Sequence, residues 1–129
     1  MYLLDTNICI AFAQGTVPTL RERIQERFAQ GLAMSAITLA ELRVGARASA
    51  DPIGDEKRLD LLATLIPVRD FDATAAESYG RLAREIGIRR RSFDRLIGAH
   101  ALSLGLTLVT NNERDFADIP GLRVENWTR

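Results

Sequence analysis

The chain has 129 residues, of which 47% are apolar and 26% charged, so it predicts one globular domain over residues 1–129 and excludes a disordered chain. No apolar run approaches the ~20 residues that span a bilayer, and the first residues lack a basic leader, which predicts a cytoplasmic protein with no membrane partner. The formal net charge of zero does not exclude nucleic acid, because all basic residues except Lys57 are arginine, which suits phosphate contacts.

The first predicted element is a short buried strand over Tyr2–Leu4 that stops at Asp5-Thr6-Asn7. Consecutive apolar residues are typical of a parallel strand covered on both faces. Ligands bind at the carboxyl ends of strands in open α/β sheets, so Asp5 lies where chemistry is expected. The structural alternative is that Asp5 caps a helix beginning near Ile8.

A second acid follows a second predicted strand. Helices are predicted from Ile8 to Ala13 and from Thr19 to Gln30, and Leu32–Ser35 is the next buried strand. Glu41 lies just beyond it, three residues after Thr38. That is the spacing of a capping box, so Glu41 also has a structural alternative. Cys9 is the only cysteine, which excludes an internal disulfide.

The second half of the chain continues the alternation of strands and helices. The predicted elements are a loop from Ala48 to Asp55, a helix from Glu56 to Leu65, a strand at Pro67–Phe71, a helix from Thr74 to Ile86, a helix from Phe93 to Leu104 capped by Ser92, a strand at Leu106–Thr110 and an edge strand at Leu122–Val124. This order predicts an α/β fold with a central, mostly parallel sheet of four to five strands and helices on both faces.

Four carboxylates lie beside the ends of these elements: Asp5, Glu41, Asp94 and Asp115. Asp94 could instead complement a helix dipole, and Asp115 could cap a turn. If the four converge, charges about 4 Å apart repel by roughly 4 kcal/mol per pair at an effective dielectric of about 20. Convergence therefore requires a cation, and oxygen ligands without clustered His or Cys favour Mg²⁺ or Mn²⁺. Such a site predicts hydrolysis of a phosphodiester by metal-activated water.

Four segments carry a resemblance to a known family: Leu3–Asn7, Ser35–Leu42, Phe93–Leu102 and Leu108–Asn112 with Asp115-Phe116. They resemble the signature segments of PIN-domain ribonucleases and, more narrowly, of VapC toxins from bacterial toxin–antitoxin pairs. The resemblance implies a PIN-like α/β/α sandwich and an Mg²⁺- or Mn²⁺-dependent endoribonuclease. It also implies a homodimer restrained by a VapB-type antitoxin. The first motif and the Asn111-Asn112 pair are similar to VapC members that cut tRNA, so tRNA is a candidate substrate.

The resemblance also implies site residues. Asp5, Glu41, Asp94 and Asp115 would form a metal-binding acidic quartet, with Thr6 and Asn112 in support. Many PIN domains have an acid two residues after the Thr of the last motif, where this chain has Asn112. The fourth acid is therefore assigned to Asp115, and Asn112 stays the alternative.

Three consecutive arginines, Arg89, Arg90 and Arg91, precede Asp94 and are candidates to bind RNA phosphates; the alternative is a solvated turn. His100 lies six residues after Asp94, and helix geometry turns it away from that acid, so it is interpreted as a packed residue. No run of aromatic residues suggests a stacking platform for single-stranded RNA.

Two other functions stay open at this point. A haloacid-dehalogenase-like phosphatase would need an Asp two residues after Asp5, where Asn7 stands, and an essential lysine that Lys57 is poorly placed to supply. A non-catalytic α/β binding module would show no affinity for divalent metals.

Overall fold

A computed structural model describes all 129 residues as a wholly parallel five-stranded sheet with six α-helices. The strands lie in the order β3-β2-β1-β4-β5 and have the bounds β1 Tyr2–Leu4, β2 Leu32–Ser35, β3 Val68–Arg69, β4 Thr107–Val109 and β5 Val124–Glu125. Leu3 pairs with Ala33 on one side and with Leu108 on the other, so β1 is the central strand. The predicted α/β class with a parallel sheet is confirmed.

The helices cover both faces of this sheet. Their bounds are α1 Thr6–Gln14, α2 Pro18–Arg27, α3 Ala36–Arg47, α4 Pro52–Leu65, α5 Ala73–Ile86 and α6 Asp94–Leu104, with 3₁₀ turns at Phe28–Gln30 and Glu113–Phe116. Successive residues of a strand point to opposite faces. Accordingly, Leu4 packs in a core cluster with α1, α2 and α4, whereas Leu3 packs in a second cluster with α5 and α6. None of the helices combines the length and apolar character needed to cross a membrane.

Several predicted element boundaries were wrong, and helix α1 begins at Thr6, two residues before the predicted Ile8, because Asp5 caps it. Helix α4 begins at Pro52, inside the predicted Ala48–Asp55 loop, because proline suits the first helical turn and Asp51 accepts a hydrogen bond from the Gly54 N–H. The helix predicted to reach Gln30 changes to a 3₁₀ turn at Phe28. The last strand is Val124–Glu125, two residues later than predicted.

Residues near both ends of the chain, Tyr2 and Trp127, pack in the first core cluster. Trp127 is fully buried, and its ring meets that of Tyr2 edge to face, with centroids 4.8 Å apart. Cys9 is also fully buried, so it is a small core residue. The segment after β5 therefore closes the core beside β1.

Candidate active site

Asp5 lies at the carboxyl end of the central strand and caps the helix that follows. Its Oδ1 accepts a hydrogen bond from the Ile8 N–H at 2.9 Å, so it caps α1. The side chain is nevertheless buried, with 4% of the residue exposed, at the edge where β1 and β4 end. Capping and a place in a pocket are therefore not alternatives for this residue.

The environment of Asp5 is unfavourable for a lone carboxylate. Burial raises the pKa of Asp5 from 3.8 to about 6, against the lowering effect of hydrogen bonds from Thr110 and the Ile8 N–H. The negative charges of Asp94 and Glu41 raise the pKa further. Asp5, Glu41 and Asp94 come from three different elements and influence one another electrostatically at the carboxyl edge of the sheet, and this group of acids with Asp115 is called the acidic pocket.

Glu41 is held by a hydrogen bond from a different element. The Thr6 hydroxyl donates to Glu41 Oε1 at 2.7 Å and lies 3.2 Å from the Thr38 hydroxyl. The capping-box interpretation of Thr38 and Glu41 is wrong, because α3 begins two residues earlier and Ser35 accepts the Ile37 N–H at 3.0 Å. Glu41 is therefore free of capping, and its hydrogen-bond partner is the Thr6 hydroxyl.

Asp94 and Asp115 form the other half of the pocket. Asp94 is the first residue of α6, where the helix dipole favours a carboxylate. Burial and then the charge of Asp115, with which Asp94 shares a side-chain hydrogen bond, raise the pKa of Asp94. Asp115 lies in the 3₁₀ turn, and the Asn112 side-chain amide donates to its Oδ2. Asn112 and Asp115 are thus partners at the site.

The four acids suit a hard divalent cation by their chemistry. Every candidate ligand is a carboxylate oxygen, the preference of Mg²⁺ and Mn²⁺. Of the four, only Asp115 has an ion pair, with Arg89 at 3.8 Å. The side chains do not form a complete chelate, since no three His, Cys, Asp or Glu groups lie close enough together to share an ion.

The basic turn before α6 lies beside these acids. Arg89 reaches Asp115 at 3.8 Å and Asp118 at 3.7 Å, whereas Arg90 and Arg91 are exposed and have no ion pair. Arg91 is the only non-glycine residue with a positive φ, at 64°. The structure therefore brings Arg89 to the acids, whereas Arg90 and Arg91 are exposed to solvent.

Three further polar residues lie close to these side chains and were not predicted from sequence as part of the site: Ser35, Thr38 and Thr110. Thr110, at the end of β4, hydrogen-bonds Asp5, and Thr38 lies beside Thr6; both are fully buried. Ser35 Oγ lies 2.8 Å from His100 Nδ1, which joins α6 to the start of α3. His100 is packed and fully buried, as predicted. Ser35 and Thr110 could have been found from sequence, because each is a polar residue at the end of an apolar run.

Comparison with known proteins adds independent evidence. The family model of the PIN domain matches residues 2–122. The chain is 38% identical over 131 residues to the tRNA(fMet)-specific endonuclease VapC of Shigella flexneri, with 98% of each chain covered.

Two solved structures are similar over nearly the whole chain. DNA-bound VapBC from Salmonella typhimurium matches with a TM-score of 0.88 and 36% identity, covering 98% of this chain and 97% of that one. VapBC2 from Rickettsia felis, bound to a DNA fragment from its promoter, matches with a TM-score of 0.87 and 32% identity over 98% of both chains.

Proposed function

Because this chain belongs to the PIN-domain family and, within it, to the VapC ribonuclease toxins, we propose that its four acids bind the divalent ion on which RNA cleavage depends. These acids are Asp5, Glu41, Asp94 and Asp115, and Mg²⁺ or Mn²⁺ is the proposed ion. As a VapC ribonuclease the protein is an endoribonuclease, a hydrolase of RNA phosphodiester bonds.

The observation that carries this proposal is that carboxylates without a cationic partner lie in buried or half-buried positions at one edge of the sheet. Asp94 acts electrostatically on Asp5, and both are influenced by Glu41, although neither Asp5 nor Asp94 has a cationic partner. Burying unpaired like charges costs several kcal/mol in general, which a domain of marginal stability tolerates only for a function. A bound cation would remove that cost.

Each residue has a separate task in this scheme. When bound, the divalent ion supplies Lewis-acid polarisation of a phosphoryl oxygen and makes water a better nucleophile. Asp5 and Asp94 would hold it from the centre of the sheet and from the start of α6. Thr6 fixes the carboxylate of Glu41, and Asn112 fixes that of Asp115. Such supporting hydrogen bonds orient ligands before binding.

RNA would meet this pocket through the arginines beside it. Arg89, Arg90 and Arg91 offer positive charge next to Asp94, which suits backbone phosphates. We propose tRNA as the RNA class, because the Shigella flexneri relative is a tRNA(fMet)-specific endonuclease. Sequencing of RNA ends after expression of the chain in a bacterium would test this, with cuts confined to tRNA as the expected result.

A VapB-type antitoxin is the proposed protein partner, since the similar solved structures are VapBC complexes. A mostly apolar groove of about 380 Å³ between α1, α3 and α4 adjoins Glu41, and Ile10, Leu42 and Gly45 line it. An amphipathic partner helix fits such a groove. Ile10→Glu should weaken the antitoxin complex in a pull-down assay and leave RNA cleavage intact; unchanged capture would exclude this groove.

The catalytic proposal is tested by Asp5→Asn, which keeps the shape and the helix cap but removes a charged ligand. We expect loss of Mg²⁺-dependent RNA cleavage and of toxicity on expression, with an unchanged circular dichroism spectrum. Glu22→Gln, an exposed acid on α2, is the matched control and should cleave normally. Full cleavage by Asp5→Asn would refute the mechanism.

A further inference from the structure

A short exposed segment leads into the acidic pocket and carries side chains that metal binding does not use. It runs from Gly87 to Phe93, between α5 and α6, and ends one residue before Asp94. Ile88 and Phe93 are large and apolar, yet they are 66% and 52% exposed. Three arginines lie between them. Exposed aromatic surface combined with positive charge is typical of contacts with single-stranded nucleic acid.

Local structure does not account for the phenylalanine. Phe93 occupies the N-cap position of α6, where polar residues that accept a backbone hydrogen bond are preferred. Its side chain cannot accept one, and Ser92 accepts the Asp94 N–H instead at 3.2 Å. The ring does not belong to either core cluster. Neither capping nor core packing therefore explains an aromatic ring beside Asp94.

A network of charged side chains around buried Arg95 connects the two ends of the segment. Arg95 in the first turn of α6 is only 6% exposed, and its guanidinium donates to the carbonyls of Ile86 and Gly87 at 2.7 and 2.5 Å. The same guanidinium binds Asp118 at 2.6 Å. Asp118 in turn lies 3.7 Å from Arg89. The start of the segment is thus tied to the helix at its end.

The backbone of the segment is also unusual. Arg91 adopts a left-handed conformation with a φ of 64°, which is uncommon for residues other than glycine. Strained conformations of this kind concentrate at functional sites. The Arg95 network and this turn together bring Arg89 and Phe93 to the two ends of one short segment beside the acids.

We infer that Phe93 stacks on a nucleobase of the RNA strand at the acidic pocket, and that Arg95 and Asp118 position the segment for this contact. The inference rests on the proposed cleavage of RNA at that pocket. Phe93 directly precedes Asp94, with Cα atoms about 3.8 Å apart, so a base stacked on its ring would place the RNA strand beside the acids that are proposed to cut it. Base stacking on an aromatic ring strengthens binding roughly tenfold or more.

The test measures binding, which separates it from cleavage. All variants carry Asp5→Asn so that RNA is not cut, and the probe is a short single-stranded oligouridylate that contains one 2-aminopurine. Fluorescence anisotropy gives the Kd, and quenching of 2-aminopurine reports stacking. We expect Phe93→Leu to raise the Kd about tenfold or more and to lose the quenching, whereas Phe93→Tyr keeps both.

Several results would overturn the inference. One is an unchanged Kd and quenching in Phe93→Leu; another is an equal loss in Phe93→Tyr, which retains the ring. A third is a weakened complex with the antitoxin at unchanged RNA affinity, which would assign Phe93 to that partner. Full RNA cleavage by Asp5→Asn, by contrast, would refute the proposed metal site without deciding whether Phe93 stacks on a base.

The positioning role of Asp118 has its own readout. Asp118→Asn should raise the Kd for the probe when Phe93 is present and have little further effect when Phe93→Leu is already made. A purely structural role would give equal losses in both backgrounds. Equal losses would remove Asp118 from the inference.

Discussion

At the scale of single residues, Asp5 combines a helix cap with an electrostatically unfavourable position. Its hydrogen bond with Ile8 favours the carboxylate, but burial and the neighbouring acids oppose it more strongly, so the pKa rises to about 6. The unfolded chain releases this proton near pH 3.8, whereas the folded chain keeps it until about pH 6. The ionised Asp5 side chain therefore costs stability at neutral pH when no metal is bound.

The pH dependence of stability follows from this shift. Below pH 3.8 both states hold the proton and the cost is absent; it grows as the pH rises and is complete above about pH 6. Without metal, Asp5→Asn should therefore be more stable than the wild type at pH 7, by up to about 3 kcal/mol. The gain should vanish near pH 4. Urea unfolding at both pH values checks this, and a variant that is less stable at pH 7 would contradict it.

Thr6 provides a second test at the scale of one side chain. Thr6→Val keeps the size of the residue but removes the hydroxyl that donates to Glu41 at 2.7 Å. Loss of such a supporting bond typically lowers metal affinity or activity about 10- to 100-fold, and we expect that loss in RNA cleavage. Thr6→Ser restores the hydroxyl and should restore most of the activity. If Thr6→Val and Thr6→Ser cleave RNA equally well, the hydrogen bond from Thr6 to Glu41 has no role in cleavage.

At the scale of elements, close packing brings Asp94 and Asp115 together. Helix α6, which begins with Asp94, packs against the 3₁₀ turn that carries Asp115. Gly98 lies at this contact and leaves no room for a side chain, since a Cβ there would lie 2.5 Å from Ile119 Cδ1 and 3.6 Å from Phe116 Cδ1. The distance between Asp94 and Asp115 thus depends on a glycine one turn into the helix.

Gly98→Ala tests that dependence. Alanine favours a helix, but its methyl group would force buried Ile119 to move, so the variant should be less stable than Gly80→Ala by about 1–3 kcal/mol. Gly80 in α5 is the matched control, because a Cβ there meets nothing within 4 Å and alanine should stabilise the helix. Urea unfolding of the two variants compares them. Equal stabilities would show that the contact has room to relax.

Sequence alone was sufficient to predict the elements that consist of uninterrupted apolar runs or of regular helical patterns. Apolar runs that end in Asp5 and Ser35 predicted β1, β2 and the sheet edge at which the acids lie. The Thr38 capping box failed because Ser35, the last residue of β2, already caps the helix. The contact of Asn112 with Asp115 depends on a 3₁₀ turn whose pattern is too short to predict.

At the scale of the whole molecule, a net charge of zero conceals a local separation of charge. Acids accumulate where β1 and β4 end, and the arginines of the Gly87–Phe93 segment lie beside them. Under the proposed function, this arrangement would place a cation and a polyanion side by side, which an even distribution of the same charges could not do. The homodimer implied by the family resemblance stays a prediction.

The salt dependence of RNA affinity tests whether this local basic surface contacts RNA phosphates. If Arg90 contacts one RNA phosphate, Arg90→Ala should reduce the slope of log affinity against log salt by about 0.7, the value for single strands. Arg81→Ala, an exposed arginine on α5, is the control and should leave the slope unchanged. Identical slopes for the two variants would place Arg90 away from the RNA.

The central claim is that carboxylates distant in sequence form one binding site for a divalent ion. Calorimetric titration with Mn²⁺ tests it most directly, with wild type, Asp94→Asn and the control Glu22→Gln compared at pH 7.5, above the raised pKa of Asp5. We expect the wild type and Glu22→Gln to bind Mn²⁺ with the same affinity and Asp94→Asn to lose most of it. Equal binding of Mn²⁺ by wild type and Asp94→Asn, or no binding by any of them, would contradict the claim.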